Sequence, residues 1–159
     1  MNEASTWEWL RDVALPLGQY SRIESPNTAP GFPDVHYQIE MHASGTIELK
    51  CNRRNDKIPF RDEKKGMRAS QLRWIEANVA RWGNVWVIAE VKHCIYVIHG
   101  TEAAGINGST NEQLAALATA IVYREDPQTA TKILHSLLTM TIRLDDKLDR
   151  ELRGDTTND

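Results

Sequence analysis

A chain of 159 residues with 41% hydrophobic and 26% charged residues has the length of one domain and the composition of a globular protein. Its two cysteines, Cys51 and Cys94, form no C-x-x-C pair, which argues against a disulfide framework or a zinc cluster. The net charge of −3 argues against a uniformly basic, polyanion-coating surface, and no apolar run nears the roughly 20 residues of a membrane span. Met1 to Leu10 carries two acidic residues and no basic run, so it does not read as a secretory signal; a cytoplasmic setting is expected.

In chain order, Trp7, Leu10 and Ala14 fall at helical spacing, predicting an opening helix over Thr6 to Ala14 with Thr6 as its N-cap. Pro16 and Gly18 end it. A strand is predicted over Tyr20 to Glu24, then a loop from Ser25 to Gly31 rich in proline. Val35, Tyr37 and Ile39 alternate with polar residues, predicting a strand whose hairpin partner is Thr46 to Cys51, with the turn at Ala43-Ser44-Gly45. That turn would set Asp34 opposite residues 50 to 54, beside Lys50 and diagonal to Glu48. The stretch from Asn52 to Ala69 has no period and reads as a mobile loop. Between Lys50 and Arg73 there are nine basic residues against three acidic, a local net of +6 in an acidic protein.

Ser70 reads as the N-cap of a helix with Leu72, Ile75, Val79 and Trp82 on one face and Gly83 at its end. Val85 to Ala89 is a continuous apolar run, as in a strand covered on both faces, and Cys94 to Ile98 follows a short turn. Strand, helix, strand implies a parallel pair with a crossover. Helices are predicted over Asn111 to Glu125 and Thr129 to Arg153, the second with Leu137, Thr141, Leu144, Leu148 and Leu152 on one stripe. The expected organisation is a core over residues 1–100, a helical extension over 101–153 and a disordered polar tail over 154–159.

Strand alternation puts Thr46, Glu48 and Lys50 on one face while Ile47 and Leu49 point into the core. A Glu-x-Lys pair on a strand is by itself commonly a surface ion pair. Here it stands in a longer order: Gly31-Phe-Pro-Asp34 before one strand, Glu48-Leu-Lys50 on its partner, then Ser70-Gln71 opening a helix, then an apolar strand. This order resembles the PD-(D/E)XK nuclease superfamily, and within it the small phage and virus-type replication-repair nucleases related to Holliday junction resolvases. The resemblance runs from Trp7 to about Ile98. It implies an α/β fold with a restriction-endonuclease-like core of helix, three-strand antiparallel meander, helix and strand, followed here by C-terminal helices that it does not explain.

The same resemblance implies Mg²⁺, with Mn²⁺ as a substitute, held by Asp34, Glu48 and the Leu49 carbonyl. It makes Lys50 the lysine that stabilises transition-state charge and Gln71 the residue that orients water or phosphate. An upstream glutamate is also usual; Glu24 is favoured over Glu8. DNA is the expected partner, with Arg53, Arg54, Lys57, Lys64, Lys65 and Arg68 on backbone phosphates and a possible homodimer through Leu137, Leu144 and Leu148. The expected activity is structure-selective DNA cleavage in phage-type replication, recombination or repair, in the host cytoplasm if phage-encoded. An inactive binding module on a nuclease fold and a restriction-like enzyme are the alternatives. The five histidines lack metal-ligand spacing, and Trp74, Trp82 and Trp86 read as core aromatics.

Overall fold

The computed structural model describes residues 2–23, 31–39 and 43–140, apart from the side chain of Trp82. It is a mixed α/β fold around one six-stranded sheet in strictly sequential order. Helix α1 (Glu3–Trp9) runs into a π-turn (Leu10–Ala14) and is followed by β1 (Gln19–Arg22), β2 (Val35–Ile39) and β3 (Ala43–Asn52). Helix α2 (Ala69–Trp82) then leads to β4 (Val85–Val91) and β5 (Cys94–His99), a 3-10 turn (Gly100–Gly105), α3 (Asn111–Leu117), β6 (Ala120–Tyr123) and α4 (Pro127–Leu138). Strands β1, β2 and β3 form the expected antiparallel meander, and β3 and β4 are the expected parallel pair joined through α2. Strands β5 and β6 complete the sheet as antiparallel neighbours.

Alternation divides the central strands between two cores. Ile47, Leu49, Trp86 and Ile88 pack beneath Trp7, Leu10 and Ala14 of the opening helix and beneath Leu134 and Leu138 of α4. Val85, Val87, Ala89 and Val91 face Ile75 of α2, together with Phe60, Met67, Ile106 and Leu114. Every residue of β4 is therefore buried, which explains its unbroken apolar run.

Several expected boundaries move. The opening helix is capped by Asn2, whose side chain accepts from Ser5 N, and Thr6 sits inside the helix, fully buried. Helix α2 is capped at Arg68 rather than Ser70. The hairpin turn is not at Ala43-Ser44-Gly45: those residues already belong to β3, with Ile39 opposite Ala43 and Tyr37 opposite Gly45. Gly45 marks a close approach, because a Cβ there would lie 2.4 Å from the Asn84 carbonyl and 2.5 Å from Tyr37 Oη. The helix expected over Asn111 to Glu125 stops at Leu117, and Ile121, Val122 and Tyr123 instead pair as a strand with β5.

Residues 101–140 are built into the same sheet and core. A partly buried ion pair ties this arrangement together: Glu90, fully buried on β4, accepts from Arg124 Nε and Nη2 at 2.8 and 2.9 Å and from the Thr6 hydroxyl. The Arg124 guanidinium also lies 5.5 Å from the Trp9 ring centroid. Leu137 belongs to this core, so it is not available to the self-association stripe; Thr141, Leu144, Leu148, Leu152 and residues 154–159 lie outside the described residues. Among the described residues, no helix is long and apolar enough to cross a membrane.

Breaking a buried pair from one side leaves an uncompensated charge. Arg124→Leu should destabilise the fold by about 3 kcal/mol in urea unfolding, and Arg124→Leu combined with Glu90→Leu should recover part of that loss. A near-neutral single substitution would show that water reaches Glu90.

Candidate active site

The meander opens where β2 ends and β3 continues. Val35 pairs with Ile47, and the ladder extended by one residue puts Asp34 opposite Glu48, not opposite residues 50 to 54. Beyond Ile47 the β2 side of β3 has no strand partner among the described residues, yet a backbone N–H there must find an acceptor. The Asp34 carboxylate supplies it, accepting from Leu49 N at 2.8 Å. Because a strand residue turns its N–H and C=O to the same side, the Leu49 carbonyl is turned to that side too. Gly31 holds this loop in place: at φ +94° it lies against the first turn of α2, where a Cβ would come within 2.2 Å of the Ser70 carbonyl oxygen.

Glu48 and Lys50 project to the other face of β3 from Ile47 and Leu49, under α2. Glu48 is 1% exposed and Lys50 7%. Lys50 Nζ donates to Glu48 Oε1 at 2.7 Å, and Gln71 Nε2 donates to the same oxygen. The Gln71 amide is fixed because its Oε1 accepts the Arg68 backbone N–H at 3.0 Å. Among the described residues, Glu48 Oε2 is buried without a hydrogen-bond partner. Asp34, Glu48, Lys50 and Gln71 are thus brought together from β3, α2 and the mouth of β2, with the Leu49 backbone between them.

Glu24 lies outside the described residues, and Glu8 is exposed on α1. Among the described residues, the upstream carboxylate that reaches the site is Glu3, 4.0 Å from Lys50 Nζ and close enough for the charge of Asp34 to bear on it. Its signal is present in the sequence: Glu3 lies four residues before Trp7, so it extends the inward stripe of Trp7, Leu10 and Ala14 with a charge. Burial raises the pKa of Glu3, against the lowering effect of Lys50.

Glu48 is pushed up to about 7, mainly by burial; Lys50 opposes the shift, while Asp34 and Glu3 add to it. Three carboxylates thus stand near Lys50, and the charges of Arg22 and Arg68 also bear on Glu3. Among the described residues no three His, Cys, Asp or Glu side chains form a ready ligand cluster. Two carboxylates and a backbone carbonyl nevertheless match the sparse oxygen donor set of Mg²⁺, which keeps several waters, and Glu48 Oε2 is a buried donor lacking a partner.

The segment after β3 is anchored rather than loose. Phe60 and Met67 are fully buried, and Asn107 clamps Met67 through two hydrogen bonds of 2.7 Å. Asn52 turns the chain by accepting from Arg54 N at 2.8 Å and donating to the Pro59 carbonyl. Arg53, Arg54, Lys64 and Lys65 line a pocket of about 650 Å³ with Glu3 and Arg22. Lys64 and Lys65 continue, with Lys50 and Arg68, into an adjoining pocket of about 410 Å³ that again includes Glu3. Lys57 is exposed and lines neither. No protein-family model matches the sequence, no curated protein matches it, and no solved structure matches its fold.

The folded chain holds the Glu48 proton more tightly than the unfolded chain does. Its contribution to the metal-free fold is complete below about pH 4.5 and is lost as pH rises through about 7. Glu48→Gln removes that titration, so its stability relative to the wild type should rise between pH 5 and pH 8, on the order of 2 kcal/mol. Thermal melts in chelator at both pH values measure it; parallel pH profiles would show that Glu48 is solvated.

Proposed function

We propose that the chain is a divalent-metal-dependent endonuclease of the PD-(D/E)XK kind, with a restriction-endonuclease-like core, that hydrolyses phosphodiester bonds in DNA. One observation carries the reading: the partnerless buried oxygen of Glu48 lies in a cluster with Asp34, Lys50 and Gln71 beside a basic groove. A buried carboxylate oxygen without a partner is costly in an ion pair and offers an open ligand position to a cation.

Asp34, Glu48 and the Leu49 carbonyl are the groups to hold Mg²⁺, or Mn²⁺ in its place. Such a cation, when bound, polarises a phosphoryl oxygen and lowers the pKa of water at neutral pH. The chain's own residues do the rest. Lys50 gives a compact positive charge for the oxyanion that develops during attack, and its hold on Glu48 Oε1 keeps it aimed there. Gln71 fixes the Glu48 carboxylate, leaving Oε2 as the oxygen free for coordination. Glu3 balances Lys50 from the other side. The basic groove neutralises backbone phosphates and so sets the register of the strand, without reading its sequence. That favours selection by DNA shape, and paired cuts in a four-way junction would further require a symmetric dimer.

The test is incubation of the purified protein with Mg²⁺ or Mn²⁺ and a panel of linear, nicked, flapped and four-way DNA. Cleavage is expected for the wild type, its loss in Asp34→Asn and Glu48→Ala, and a fall of roughly 10²–10³ in Lys50→Met. DNA binding without cleavage under every metal would favour the inactive binding module instead. Replacing Arg53, Arg54, Lys64 and Lys65 together by neutral residues should reduce the slope of log K against log salt by about 0.9 for each duplex phosphate left without its cation. An unchanged slope would show that these side chains face solvent only.

A further inference from the structure

Phe32 and Trp74 form an aromatic pair at the edge of the candidate site, with ring centroids 5.2 Å apart and planes tilted by 58°. Phe32 is 36% exposed, unusual for a phenylalanine in a chain whose other phenylalanine, Phe60, is fully buried. Trp74 is half-buried against the α2 side of the sheet and supports Phe32 from below. The position of the pair is fixed from both sides. Phe32 lies between Gly31, pressed against Ser70, and Pro33-Asp34, whose carboxylate holds Leu49 N.

Along α2 the order of functions follows the helix. Arg68 lines the basic pocket, Gln71 one turn on holds Glu48, and Trp74 one turn further carries Phe32. Successive positions at i+3 are neighbours about 4.5 Å apart along the axis. Positive charge, carboxylates and an exposed aromatic face therefore follow one another within two turns.

We propose that Phe32, backed by Trp74, is a stacking platform for an unpaired nucleobase next to the phosphate that Lys50 would face. The proposal rests on the nuclease reading and narrows its substrate class to single-stranded or frayed DNA: a flap, an overhang or an open branch. A basic groove that follows the backbone and an aromatic face that accepts any base are the two parts of sequence-tolerant single-strand binding. In an intact duplex the bases are stacked on one another and the platform has nothing to engage.

Binding is measured without catalysis, in chelator, using fluorescently labelled single-stranded oligonucleotides and blunt duplexes of the same length with the whole chain. Cleavage is then compared on single-stranded, flapped and blunt substrates with Mg²⁺. Phe32→Leu keeps an apolar cover on Trp74 and removes the aromatic face, while Phe32→Tyr keeps both. The wild type should bind single strands more tightly than duplex. Phe32→Leu should lose roughly tenfold in single-strand affinity and little on duplex, with Phe32→Tyr close to the wild type. Equal loss on single strands and duplex, or no loss on either, with cleavage retained would overturn the platform and leave the nuclease reading standing. Absence of DNA binding in chelator together with absence of cleavage of every substrate with Mg²⁺ would overturn both. Circular dichroism melts of the variants separate lost stacking from lost folding. If Phe32→Leu unfolds, the single-strand preference of the wild type and the behaviour of Phe32→Tyr decide the matter.

Discussion

The constraint on which the site depends is the burial of one carboxylate. Glu48 sits on a central strand, covered by α2, with one oxygen taken by Lys50 and Gln71 and the other left without a partner. Removing a carboxylate from water is costly unless its charge is matched, and a single lysine shared with Glu3 does not match it fully. That cost to a metal-free carboxylate is the ground for proposing a divalent cation there. Much of the surrounding architecture serves to hold the site in place: Gln71 is locked by the helix cap, and Gly31 presses the Asp34 loop onto α2.

The sheet supplies the second element of the geometry. Strands β2 and β3 part after the Val35 and Ile47 pair, and the strand edge exposed there needs an acceptor that a side chain must provide. Asp34 meets a backbone demand and in doing so is placed one register step from Glu48. The same parting turns the Leu49 carbonyl toward the gap. Behind the site, the Glu90 and Arg124 pair ties the opening helix, β4 and the turn after β6 into one body, which keeps the Glu3 end of α1 fixed against β3. A chain segment that the PD-(D/E)XK resemblance leaves unexplained thus has a structural task.

Much of this is legible in the sequence because it follows from periodicity. The alternation in Val35 to Ile39, the Ile47 and Leu49 face, the stripe of α2 and the apolar run of β4 each encode burial directly, and with them come the meander and the parallel crossover. The residues that mislead are those with two physical uses. Gly45 reads as a turn and is a close approach between Tyr37 and Asn84, which displaces Asp34 by several positions in the expected register. Thr6 reads as a cap and is a buried hydroxyl donating to Glu90. Ile121 to Tyr123 continue a helical pattern but serve as an edge strand, decided by the partner β5 rather than by local preference. Glu3 escapes notice because a charge on an inward stripe is invisible to a search for apolar residues alone.

The Glu48 and Asp34 carboxylates are proposed to bind a divalent cation. Mn²⁺ binding to the purified chain, followed by calorimetric titration and by the rise in melting temperature with metal concentration, reads this without reference to any substrate. Saturable binding is predicted for the wild type, retained in Lys50→Met and lost in both Asp34→Asn and Glu48→Gln, each variant folded. Binding that survives both carboxylate substitutions, or a wild type that takes up no metal, would contradict that claim.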